Sequence, residues 1–239
     1  MILSLLSSGG NFLDILLTLL LMLPAMMLAL SLHESAHGYV AWKCGDSTAY
    51  NLGRLTLNPL KHLDPMGFLS LLIFGYGWAN PVPINTRNFR NPKRGMALSA
   101  LAGPVSNLLL GIVCAVIAGV CLGYYSYIAN PFAEQTYWNE VLRLFTIAFL
   151  YSAQINFIYM VFNMIPVPPF DGSRVMLAFL PTNIYFKIMR YERHIMYGVL
   201  IALFLLSYLG FSPFGWIAGE LTDLISYPIA EAVLKGLAA

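Results

Sequence analysis

The chain has 239 residues, 59% hydrophobic and only 10% charged, with a formal net charge of +2 and a mean hydropathy of +0.71. Soluble domains carry about 25% charged residues, and disorder needs low hydrophobicity with high net charge, so the composition argues against both. A small net charge without a long basic run also argues against a nucleic-acid partner. The useful ruler is the bilayer, at about 20 residues per crossing helix.

In chain order, residues 15–32 form an uncharged apolar run whose helical character continues to Trp42. The residues before it lack Lys and Arg, so there is no positively charged n-region, and this first helix is expected to be retained. Residues 66–79 are apolar but short, and they end in Asn80-Pro81-Val82-Pro83. Residues 96–125, 144–166 and 195–220 are each long enough to span. Residues 211–239, with Phe214, Trp216, Glu220, Asp223 and Glu231, suit an outer amphipathic helix.

Basic residues in the segments between the four long stretches number 0, 7, 1, 4 and 1 from the N-terminus onward. That alternation places both termini outside and the two basic loops in the cytoplasm. A full crossing by 66–79 would split the seven basic residues three against four. A re-entrant segment is therefore expected there. The fold class is an all-α polytopic membrane protein: about four full transmembrane helices plus a short re-entrant, β-like segment. Residues 1–239 read as one integral-membrane domain, with a core over 15–180 and a C-terminal span and tail over 181–239. Cys44, Cys114 and Cys121 form neither a CxxC pair nor a disulfide framework.

Ionisable residues inside a span are costly and mark functional sites. The first helix runs into His33-Glu34-Ser35-Ala36-His37. On a helix, His33 and His37 lie one turn apart on one face, within reach of one zinc ion, and Glu34 beside them can reach a water. This is the HExxH arrangement. A catalytic zinc takes three protein ligands and leaves one position open. Asp171 is the strongest remaining carboxylate. It follows Pro166-Val167-Pro168-Pro169, where three prolines end the third long helix and force extended backbone. An N-cap of the next helical run is the alternative role for Asp171. His62 and Asp64 read as loop residues, with a contact to a zinc ligand as the alternative.

These residues carry a resemblance. The chain resembles the site-2 protease family of intramembrane zinc metalloproteases, peptidase family M50, in its compact branch without a PDZ domain. The resemblance rests on His33 to His37, on Asn163 to Gly172 for the NxxPxPxxDG motif, and on Ala102-Gly103-Pro104-Val105-Ser106-Asn107 for an AGPxxN helix start. Phe170 stands where the family often has Leu. The resemblance implies one zinc ion per chain held by His33, His37 and Asp171, with Glu34 as the catalytic residue. It also implies a β-like segment beside the active site, near the cytoplasmic face of a prokaryotic inner or plasma membrane. Asn163 resembles the family's motif Asn, for binding substrate backbone, with a helix C-cap as the alternative. Asn107 is read as helix-to-helix glue or a contact to the site, and Asn80 opens an extended edge for substrate. The expected activity is cleavage of a peptide bond in or near a transmembrane helix of a membrane-protein substrate. A metal-ion transporter and a catalytically silent helix-binding relative are the alternatives.

Overall fold

The computed structural model describes residues 11–74, 78–128, 137–181, 184, 187, 188, 190–209 and 213–238. Its helices are α1 (Phe12–Lys43), α2 (Thr48–Asn51), α3 (Pro65–Phe74), α4 (Pro92–Ile128), α5 (Tyr137–Asn163), α6 (Asp171–Leu177), α7 (Glu192–Tyr208) and α8 (Pro213–Ala238). Short 3-10 turns lie at Pro59–Lys61 and Thr86–Asn88. Helices suit these runs because hydrocarbon offers no partner to backbone polar groups, and a helix satisfies its own. α4 starts at a clear signal: the Asn91 side chain accepts from the Arg94 N–H at 3.1 Å, and Pro92 occupies the first helical position.

Among the described residues, three helices are long and apolar enough to cross a membrane: Ile15–Lys43, Pro92–Ile128 and Tyr137–Asn163. The all-α polytopic fold is as expected. The fourth expected stretch, 195–220, divides between two helices, since α7 ends at Tyr208 and α8 begins at Pro213. α8 is 26 residues long and lies against α4 and α5. A Cβ on Gly119 would lie 2.6 Å from the Ser226 carbonyl oxygen, and one on Gly123 would lie 2.5 Å from that of Ala230. Each contact is four residues beyond the last on both helices, so α8 runs parallel to α4. It sits close because small residues let the backbones approach.

α4 is the central helix, packed by α1, α5 and α8. Its interior stripe is small and partly polar, with Asn107, Gly111, Cys114, Ala115 and Ala118 buried. Its outward stripe of Leu109, Val113, Val116 and Val120 is apolar and exposed. A soluble helix shows the opposite arrangement; an apolar outer face suits lipid.

Residues 66–79 do not form a crossing helix. α3 has ten residues, about 15 Å at 1.5 Å per residue, half of a bilayer core. Leu63 and Ala79 form an antiparallel bridge, and the Asn80 N–H donates to the His62 carbonyl at 2.8 Å. A segment whose two ends are hydrogen-bonded together returns to where it left. The expected β-like character amounts to this one bridge among the described residues; residues 75–77 lie outside them.

Candidate metal centre

α1 presents His33 and His37 one turn apart, and α6 brings in Asp171 as its first residue. The two Nε2 atoms are 3.0 Å apart, and Asp171 Oδ2 lies 3.1 Å from that of His33 and 3.2 Å from that of His37. All three residues are largely buried. The arrangement depends on two glycines. A Cβ on Gly103 would lie 2.5 Å from His37 Cε1 and Nε2 and 2.6 Å from His33 Cε1, so α4 backs directly onto both rings. A Cβ on Gly172 would lie 2.3 Å from the Met164 carbonyl oxygen. The start of α6 can reach the site only without a side chain there.

The far side of each imidazole fixes its protons. His33 Nδ1 lies 2.5 Å from Asn107 Oδ1, and the Asn107 amide nitrogen donates to the Ala29 carbonyl and to Asn156 Oδ1. His37 Nδ1 lies 2.7 Å from the Ser99 carbonyl. Both partners only accept, so each Nδ1 carries hydrogen, and in a neutral ring Nε2 is then a bare lone pair. Two such lone pairs and a carboxylate oxygen converge within about one hydrogen-bond length of one another. Only a proton or a metal cation among them makes that arrangement favourable.

Zinc fits on two counts. Bonds of about 2.0–2.1 Å to tetrahedral zinc put its ligands about 3.3–3.4 Å apart, close to the three separations here. The donor set of two imidazole nitrogens and one carboxylate oxygen is also one that zinc accepts. His33, His37 and Asp171 are the group of metal-competent side chains found among the described residues. Burial works against the charged form of Asp171, but with protons on the histidine nitrogens that face it, hydrogen bonding and charge at His33 and His37 outweigh burial and hold its carboxyl well below the usual range. A cation at the same point acts in the same direction.

Glu34 is buried beside this cluster, and its Oε2 accepts the Val82 N–H at 2.9 Å. Asn107 touches the site directly and binds α1 to α4 and α5, so both roles weighed for it are combined in one residue. Asn163 lies at the end of α5 and donates back to the Tyr159 carbonyl at 3.0 Å, without joining the cluster. Asn80 is exposed; its N–H goes to the His62 carbonyl and its own carbonyl accepts from Arg54 Nη2 at 2.8 Å. His62 and Asp64 touch no member of the cluster. His62 is fully buried with Nε2 2.8 Å from the Thr56 carbonyl, and Asp64 accepts the Gly67 N–H at the start of α3.

Sequence reasoning missed three contributors. Asn156 is one of three amides in an uncharged stretch, with Gln154 and Asn163, and polar side chains in such a stretch are a legible signal. Ser99 and Val82 act through backbone atoms, which leave no trace in residue identity.

The family model for Peptidase family M50 matches residues 21–207. The chain is 37% identical over 184 residues to the Bacillus subtilis protein named "Putative zinc metalloprotease YwhC", covering 75% of this chain and 77% of that protein. It is 30% identical over 158 residues to "Putative zinc metalloprotease Rip2" of Mycolicibacterium smegmatis, covering 64% of this chain and 54% of that protein. With "Putative zinc metalloprotease MJ0611" of Methanocaldococcus jannaschii it shares 28% identity over 145 residues, 60% of this chain and 62% of that protein. No solved structure matches the chain. With the family matched over most of its length and a zinc-competent cluster at the end of an apolar helix, this membrane chain belongs to peptidase family M50 and is a zinc metalloprotease.

Proposed function

We propose that this zinc metalloprotease is an intramembrane endopeptidase that hydrolyses a peptide bond in or near a transmembrane helix of a membrane-protein substrate. One observation carries this reading: His33, Glu34 and His37 belong to a helix, Ile15–Lys43, that is long and apolar enough to cross a bilayer. The protein acts as a single multi-pass unit in the cell membrane. Its basic loops face the cytoplasm, and the site lies near that face, because the seven basic residues from Lys43 to Arg94 fall on its side.

In this reading His33, His37 and Asp171 hold the zinc. When bound, zinc supplies Lewis acidity, making a water more acidic and polarising the scissile carbonyl. Glu34 takes the water proton as general base and later delivers it to the leaving amine. The Val82 N–H holds Glu34 Oε2, which leaves Oε1 to handle the proton. Asn107 and the Ser99 carbonyl hold the imidazoles with Nε2 toward the centre. A helical substrate has its carbonyls committed to intrahelical hydrogen bonds, so it unwinds locally before cleavage. The side chains of Asn163 and Asn80 bind the backbone this exposes. The test is cleavage of a single-span helix reporter by the purified zinc-loaded chain in liposomes. Cleavage of the reporter within or beside its span is expected; a chain that cuts soluble peptides but never the embedded reporter overturns the intramembrane assignment.

A further inference from the structure

On either side of α2, Asp46 and Arg54 carry charges that do not pair with each other, and each reaches the segment that holds Glu34. Asp46 is fully buried. Its Oδ1 accepts from the Thr48 N–H (3.1 Å), the Thr48 hydroxyl (2.5 Å) and Asn88 Nδ2 (2.9 Å), while Oδ2 accepts the Asn85 N–H at 2.6 Å. Arg54 Nη2 donates to the Asn80 and Pro81 carbonyls, at 2.8 and 3.3 Å. Val82 lies between these two anchor points, and its N–H is the donor to Glu34 Oε2. Gly45 turns the chain into this loop at φ +116°, a conformation that favours glycine, and the neighbouring Cys44 carbonyl accepts the Arg90 N–H at 3.1 Å.

The covalent arrangement makes such a brace necessary. Pro81 and Pro83 have no N–H, so the segment cannot secure itself by pairing as a strand on both sides of Val82. Its position is set by what grips its carbonyls before Val82 and its amides after it. Burial works against a charged Asp46, but its hydrogen bonds from Thr48, Asn88 and Asn85 outweigh that and hold its carboxyl below the ordinary range, so it is a full anionic acceptor.

We propose that Asp46 and Arg54 are positioning residues for catalysis: together they clamp residues 80–88 so that the Val82 N–H holds the Glu34 carboxylate in its working orientation. The proposal rests on the reading of Glu34 as general base. It also gives each charge a partner in that segment: the Asn80 and Pro81 carbonyls for Arg54, and the Asn85 N–H and Asn88 side chain for Asp46.

The test uses the full-length zinc-loaded chain in detergent, with three readouts: zinc per chain, kcat and KM on the helix reporter, and hydrogen exchange at the Val82 amide. Asp46→Asn keeps the shape but turns one acceptor oxygen into a donor facing other donors. It is expected to retain parental zinc, lower kcat by about 10- to 100-fold with KM within about twofold, and speed Val82 exchange at least about tenfold. Arg54→Met is expected to act in the same direction and Arg54→Lys to recover most of the loss, since an ammonium still reaches one carbonyl; this pair carries the test if Asp46→Asn does not fold. Unchanged Val82 exchange, unchanged kcat, or a kcat loss that merely tracks lost zinc overturns the clamp. Glu34→Gln is measured alongside: parental turnover in that variant overturns the reading of Glu34 as base, while Val82 exchange in Asp46→Asn still judges the clamp.

Discussion

Asn107 gives both amide hydrogens away from the metal site, to Ala29 and Asn156, and turns only its carbonyl oxygen toward His33 Nδ1. That orientation decides which nitrogen of His33 is left bare for the metal. Asn107→Leu removes the acceptor and is expected to lower zinc affinity by about 10- to 100-fold, the usual cost of losing such a partner. Asn156→Leu acts only through Asn107 and should cost less. Competition with a chromogenic chelator measures both, and equal affinities in parent and Asn107→Leu would show that the ring is held by something else.

Glu34→Gln and Asp171→Ala separate chemistry from metal binding. Glu34→Gln keeps both histidines and the side-chain shape but cannot accept a proton. It should retain zinc while turnover falls by at least about 10²-fold, the low end for losing a positioned base. Asp171→Ala should lose zinc and activity together. Elemental analysis beside reporter cleavage reads both, and full zinc with full activity in Asp171→Ala would remove it from the ligand set.

Removing the metal should also weaken the fold. A ligand that binds only the folded chain stabilises it by mass action, and the three converging donors repel one another without a cation. A chelator is expected to lower the Tm of the parent, with added zinc restoring it. The Tm of Asp171→Ala should not respond to the chelator.

Gly103→Ala should be far more damaging than an alanine on a membrane helix ordinarily is. Its Cβ would press on both imidazoles at 2.5–2.6 Å, so the rings or α4 must shift. We expect about 1–3 kcal/mol of destabilisation, together with reduced zinc occupancy. Thermal unfolding and elemental analysis check it, with Gly219→Ala, where the new methyl meets open space, as the control.

Lys61 and Arg90 lie on either side of a segment whose ends meet at the His62–Asn80 hydrogen bond. Single cysteines at these two positions, in a background without Cys44, Cys114 and Cys121, should be equally protected from an impermeant reagent in intact cells. Labelling of one alone would mean that residues 66–79 cross the membrane.

What the sequence by itself determined is what short-range geometry dictates. An uncharged run long enough for a bilayer becomes a helix there, and four residues on a helix return to the same face, so His33 and His37 had to face one point. The charge counts along the loops likewise set the expected re-entry of residues 66–79. Which distant groups would meet that histidine pair was a different matter. Asp171 is 138 residues from His33, and as an acid after three prolines it was equally suited to cap a helix until the packing of α6 against α4 brought it to the histidines. The division of 195–220 into α7 and α8 was signalled by Gly210 and Ser212-Pro213, but a count of apolar length alone passes over it. Least legible were the Ser99 carbonyl and the Val82 N–H. Every residue carries a carbonyl and nearly every one an N–H, so only the tertiary structure selects which of them touches His37 or Glu34. Asp46 and Arg54 belong with these, since what ties them to the segment beside Glu34 includes the Asn85 N–H and the Asn80 and Pro81 carbonyls.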